Sequence, residues 1–322
     1  RVWRSATSNL MKGAYEYGSS FSRGTRATIR NDELGGLILF FLSGTASVDQ
    51  KGKVFGRNLE QQVERMHKNY ISLFKNALMT PSDVVHSAGY SKPRLLGRAQ
   101  DIINGNHPYM VHDGNWYQSH VCRPGWKVEV DALAADGNFK DTKIQDILDL
   151  YALYHRRAMT GQPAEIAYDT VITGDLTFLF IYSFAETKLK KNDGICSRHY
   201  RNLVKAAYDI VTELLEQHEG SWLDVPNARI NLPSMLTIPP GIDPEKHPDL
   251  PSQPDYYTID FNPVRTDYVF RPASVGSSPE HPLPSSTGIG TIKYQEQDGL
   301  WAPISDRLVI SMSTMAVIRA KR

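Results

Sequence analysis

The sequence predicts an α+β fold, and three observations carry that prediction. Two segments, 59–78 and 200–218, space apolar residues as one helix face does. Short apolar runs of strand character flank each of them. An alternating stretch, 127–134, closes the first half. One long helix laid over four or five strands makes a unit of about 115 residues, so the 322-residue chain has room for two.

In chain order, Ser22 to Ile29 reads as a strand, followed by the Asn31-Asp32 turn signal. Leu37 to Val48 is a second strand, apolar on both faces and therefore central and covered. Leu59, Val63, Met66, Tyr70, Leu73 and Leu78 then define the first helix. Asn58 and Gln61 at its start have the spacing of a capping box. Residues 82–92 return to strand character, and 127–134 follow.

The second half repeats this order. Leu176 to Ala185 is an apolar strand, and Tyr200 to His218 is a helix with Leu203, Ala207, Ile210, Val211, Leu214 and Leu215 on one face. Leu308 to Ile318 is a near-continuous apolar strand. Residues 232–286 hold twelve of the nineteen prolines, which suits an ordered wrapping loop between these elements. We expect two similar α+β lobes, 1–135 and 136–322, each a mixed sheet with helices packed on one face.

Composition removes several classes of function. Lys plus Arg total 36 against 35 for Asp plus Glu, with no block of like charge, so no nucleic-acid partner or polybasic membrane anchor is expected. The longest apolar run, Leu37 to Leu42, is too short to span a bilayer. The start, Arg1-Val2-Trp3-Arg4, lacks a charged-then-apolar signal pattern, which suits a processed chain or part of a longer product. Two cysteines give neither a disulfide framework nor metal-ligand spacing, and the ten histidines form no HExxH. A cytoplasmic protein acting on a small molecule, without metal or cofactor, is the expectation.

The stretch from His120 to Ala134 carries the most chemistry. It sets Cys122, Arg123 and Glu129 within eight residues, and Lys127, Glu129 and Asp131 alternate with Val128 and Val130. Taken alone, such a face reads as solvated. A carboxyl held there by burial would instead be a general acid with a raised pKa.

Its companions change the reading. Phe41 to Val48 contains Ser43-Gly44-Thr45-Ala46-Ser47, Gly56 and Gln61 open the long helix that carries Asn69, and Val128-Glu129-Val130-Asp131 follows. This set resembles the Rid (YjgF) fold, and more closely the chorismatase family, built from two Rid-like lobes. Tyr90 lies 39 residues before Glu129 and Cys122 seven before it, as in that family. Pro284 to Gly290, with Thr287-Gly288-Ile289-Gly290, looks like the family's second signature, a turn leading into a strand. Ser22-Arg23-Gly24-Thr25 matches its Phe-x-Arg-x-Thr element. The order differs: the Thr-Gly-Ile-Gly lobe comes first in the family and last here, as a circular permutation would give.

The resemblance implies cleavage of the enolpyruvyl ether of chorismate, a dianion, to pyruvate and a hydroxybenzoate or dihydroxycyclohexadiene acid. Glu129 matches the proton donor, and Cys122 matches a cysteine of members that make 3-hydroxybenzoate; a small buried hydrophobe is its other reading. Arg23 is the best carboxylate clamp. Tyr90, Gln61 and Arg265 are further substrate-binding candidates, though the cap explains Gln61 equally well. At Thr287, Gly288 and Gly290 the backbone N–H groups could approach a carboxylate. Lys92 replaces a family arginine and offers no bidentate fork, so Arg94 or Arg98 would have to compensate. Gly125, Arg57 and the stretch Ser221-Trp222-Leu223-Asp224, which stands where the family has Arg-x-Trp-Asn, also depart from the family pattern. These departures keep open a non-catalytic Rid-fold binding or assembly subunit. A Rid-type enamine/imine deaminase is a third reading, opposed by the lack of arginine in 108–119. A homotrimer is the assembly the resemblance implies.

Overall fold

The computed structural model describes residues 1–13, 21–112, 114–121, 125–161, 163–165, 167–188, 197–233, 261–270, 284–291, 294–297, 300–303 and 307–320. The first lobe begins with β1 (Val2–Ala6), β2 (Gly24–Ile29) and β3 (Leu37–Ala46), then α1 (Leu59–Asn76) and β4 (Val84–Ser91). It ends with α2 (Leu96–Asn106), β5 (Trp116–His120) and β6 (Val128–Gly137). A linking helix, α3 (Thr142–Thr160), precedes β7 (Tyr168–Thr173), β8 (Leu176–Lys188), α4 (Ser197–Gln217) and β9 (Asn227–Pro233). The short α5 (Asn262–Arg265), β10 (Ser285–Thr291), a small hairpin of β11 (Tyr294–Gln297) and β12 (Leu300–Pro303), and β13 (Arg307–Arg319) complete the chain.

Both lobes are α+β and have the same topology. In the first the strand order is β2-β3-β6-β4-β5, and in the second β7-β8-β13-β9-β10. Each runs hairpin, long helix, strand, strand, returning strand. The parallel pair occupies the same place in each, β4 with β5 and β9 with β10. The returning strands β6 and β13 are antiparallel to both neighbours. The duplication suggested by element order is therefore present in the strand order. The lobes join where β5 meets β10 at Gly290↔His120 and Thr291↔Ser119, and again where Ser22 bridges to Ser285.

α1 forms because its apolar positions recur on one face and Asn58 caps it, accepting from the Gln61 N–H. That face packs on β3, with Phe74 edge-on to Phe40 at 5.1 Å. α4 covers the corresponding face of the second lobe, and Leu179, Ile181, Met312 and Ala316 lie in its core. No helix among the described residues is long and apolar enough to cross a membrane.

The consequential element is α3, which the apolar pattern left unassigned. Asp141 caps it by accepting from the Lys143 N–H, and Gly161 ends it at φ +61°, where an L side chain would be strained. Its apolar residues point to both sides: Tyr151 meets Phe41 of the first lobe at 5.7 Å, and Tyr154 meets Phe180 of the second at 6.1 Å. Beyond α1 and α4, then, α3 fills the space between the two sheets on the opposite face. Ser311 Oγ and Asn231 Nδ2 donate to the carbonyls of Ala158 and Met159, fixing its last turn to β13 and β9. The Arg1 ammonium lies close enough to Arg319, at the end of β13, and to Asp175 to feel their charges.

Candidate active site

The face of β6 that carries Glu129 and Asp131 is buried, against the solvated reading that alternation alone supports. His155 of α3 and Arg229 of the second lobe lie against it. Register sets the cluster: Tyr90 pairs with Glu129 and Ala88 with Asp131 across β4 and β6, so these side chains share one face. Tyr90 Oη donates to Asp131 Oδ2 at 2.9 Å and lies 3.1 Å from His155 Nε2 on α3. His155 Nε2 is 3.5 Å from Asp131, and its Nδ1 is 3.1 Å from His86 Nε2 on β4. From the other lobe, Arg229 on β9 reaches across. Its Nε is 2.8 Å from Asp131 Oδ2 and its Nη2 donates to the Leu42 carbonyl at 2.7 Å.

Two carboxyls two residues apart are pushed in opposite directions. Burial would raise Asp131, but Arg229 and then His155, with hydrogen bonds from His155 and Tyr90, hold it well below the usual carboxylate range. Burial dominates at Glu129 and pushes its carboxyl up to about 8; Arg23 opposes this, and the Asp131 charge adds to it. Glu129 is thus a neutral acid at pH 7, and its Oε2 has no hydrogen-bond partner among the described residues. Burial, followed by His155, takes His86 down to about 3, so that imidazole is neutral. Such a split between neighbouring acids assigns one to proton donation and the other to charge.

These shifts have a measurable sign. Native Glu129 keeps its proton up to about pH 8, whereas an ordinary glutamate loses it near 4.5. Its contribution to stability is fully present below 4.5 and is lost as pH rises to about 8, a loss of a few kcal/mol at about 1.4 kcal/mol per pKa unit. Asp131 acts at the other end, with stability present above its ordinary 3.8 and lost as pH falls below that. Urea denaturation from pH 6 to 8.5 should show a falling midpoint in the wild type and a flatter profile in Glu129→Gln. Equal slopes would show that Glu129 is ionised in the native protein.

The remaining candidates divide between this seam and other places. Arg23 is buried at the seam, its carbonyl held by the Ser43 N–H at 3.0 Å and the Ser43 hydroxyl at 2.8 Å. Phe21 lies between two guanidiniums, Arg23 at 5.5 Å and Arg265 at 4.9 Å from its ring centre. Arg265 Nη2 donates to Asn262 Oδ1 at 2.5 Å and its Nη1 to Ser286 Oγ at 3.4 Å. Thr287 sits opposite Arg229, and Gly288 and Gly290 opposite Ile230 and Leu232, in the β9–β10 ladder. The expected turn there is instead a strand, because β9 supplies a parallel partner throughout.

Gln61 is exposed at the start of α1, where its Oε1 accepts from the Arg57 N–H. Its neighbour Gln62 is the buried one, bonded to the Gly56 and Gly125 carbonyls and to the Lys127 N–H, which ties the approach to β6 to the helix. Lys92 is half-buried just past β4, and Arg94 is exposed in the next turn. Arg98 pairs with Glu60 on the surface. Cys122 lies outside the described residues. Pattern reading missed His86, Asp131, His155 and Arg229. The available signal was the polar alternation of Asn227, Arg229 and Asn231 in β9, the same alternation as in β6.

The fold and seam define a class: a two-lobed α+β protein with a protonated carboxyl and guanidiniums between its lobes. No protein-family model matches the chain, and neither does any curated protein. Among solved structures it is similar to an L-PSP protein from Entamoeba histolytica (19% identity, 41% of this chain and 98% of that chain, TM-score 0.33). It is also similar to yeast Mmf1 (11%, 42% and 98%, 0.34) and to RidA from the Antarctic bacterium Psychrobacter sp. (14%, 41% and 98%, 0.31).

Proposed function

We propose that the chain is a chorismatase-like enzyme that cleaves an enolpyruvyl ether at the seam between its lobes. The observation that carries this is Glu129: buried, protonated at neutral pH, with an unpartnered Oε2. An enol ether reacts by protonation of its terminal methylene. Glu129 gives that proton, and the ether carbon becomes an oxocarbenium. Water adds to it and loses a proton to the Glu129 carboxylate. The resulting hemiketal collapses to pyruvate and the ring alcohol.

The substrate is a dianion, which suits the positive side of the seam. Arg23 faces Glu129 electrostatically, and Arg229 Nη1 has no hydrogen-bond partner among the described residues. Both are placed to accept a carboxylate. Asp131 keeps Arg229 and Tyr90 in position and, being ionised, adds to the burial that keeps Glu129 protonated.

Incubation with chorismate, with pyruvate followed by a coupled dehydrogenase, tests this reading. Steady pyruvate release is expected. Its absence at high enzyme concentration would overturn the reading in favour of a non-catalytic binding subunit. Ammonia release from an imino acid would favour the deaminase, although β5, the strand before β6, supplies no arginine.

A further inference from the structure

We propose that Glu64, His67 and His107 form a binding site for a divalent transition cation of the zinc class, on the face of the first lobe remote from Glu129. Glu64 and His67 stand three residues apart on α1 and so share one face of that helix. His107 caps the C-terminus of α2, its N–H bonded to the Ile103 carbonyl at 2.7 Å, and Pro108 then turns the chain back toward α1. One ligand atom from each of the three residues lies within 4.8 Å of the others. The two imidazoles are stacked, with centroids 3.8 Å apart and planes 17° apart. His107 Nε2 is 3.8 Å from Glu64 Oε2.

Two imidazoles and one carboxylate are donors that select zinc, cobalt, nickel or copper over magnesium or calcium. Zinc–nitrogen bonds of about 2.0–2.1 Å require the donors to draw together by roughly an ångström. Glu64 is exposed and free to swing off Lys68, its 3.2 Å ion-pair partner, toward the two rings. Tyr109 Oη, 2.5 Å from His67 Nε2, braces that ring, as outer partners brace ligating histidines. Three protein ligands leave a coordination position for water or a small anion. The sequence signal was Glu-x-x-His at 64–67, which the search for HExxH passes over.

Calorimetric titration of the chelator-treated full chain with zinc sulfate tests the site. One zinc per chain is expected, with affinity at least tenfold weaker in His107→Ala and in Glu64→Gln. Glu129→Gln, altered on the other face of the sheet, should bind as the wild type does. Both weakened variants must keep the wild-type circular dichroism spectrum; Glu64 is exposed, so Glu64→Gln tests the site without burdening the fold. No zinc uptake by the wild type, or uptake unchanged in the His67→Ala/His107→Ala double variant, would overturn the proposal.

Discussion

On the proposed reading, Glu129→Gln is expected to remove chorismate turnover while leaving the protein folded. Loss of a positioned general acid costs about 10²–10⁴-fold in rate. The substitution is nearly isosteric, and glutamine is neutral, as native Glu129 is at pH 7. The variant should therefore be at least as stable as the wild type at pH 7 and above, where the wild type must hold a proton that its unfolded chain releases. Wild-type kcat/KM should also fall as pH rises past about 8, as the acid loses its proton. Stopped-flow or coupled assays across pH 6–9 read both effects. Turnover retained in Glu129→Gln would place the proton donor elsewhere, whatever its stability.

Arg229→Met is the largest expected stability effect. It leaves the buried Asp131 carboxylate without the guanidinium 2.8 Å away, and breaking a buried pair from one side costs about 3–5 kcal/mol. It also removes the side-chain bond that runs from the second lobe to the Leu42 carbonyl. Adding Asp131→Asn should restore a substantial part of the loss, because the unpaired charge disappears while Tyr90 and His155 keep a polar neighbour. The gap between wild type and Arg229→Met should narrow as pH falls, because the buried aspartate left without its guanidinium takes up a proton more readily than the paired one. Urea denaturation of the three variants and the wild type measures this. A cost under about 1 kcal/mol, or no recovery in the double variant, would show that the pair does not hold the lobes together.

These two residues also mark how far pattern reading reaches. The helices at 59–76 and 197–217 were legible because each buries one face, and that spacing is a local property. So were β3, β8 and β13, whose apolar runs announce central strands. β9 was not legible, because Asn227, Arg229 and Asn231 alternate as a surface strand does, yet all three are buried. α3 was missed for the related reason that it buries two faces and keeps no clean stripe. Within the candidate site, Glu129, Arg23, Tyr90 and Arg265 were visible through short motifs. Their buried partners Asp131 and His86 share β6 and β4 with Glu129 and Tyr90, while His155 and Arg229 came from two further elements, α3 and β9, with no motif between them.

The sequence by itself determined the α+β class, the repeated order of hairpin, helix and strands, and Glu129 as the acid to test. The first two follow from local periodicity, and the third from the resemblance that the short motifs carry. Only the tertiary structure decided that the polar faces of β6 and β9 turn inward. A strand's alternation says which residues share a face, and what covers that face is settled by distant chain. Here α3 brings His155 and the second lobe brings Arg229, so burial keeps Glu129 protonated while Arg229 and His155 hold its neighbour Asp131 ionised.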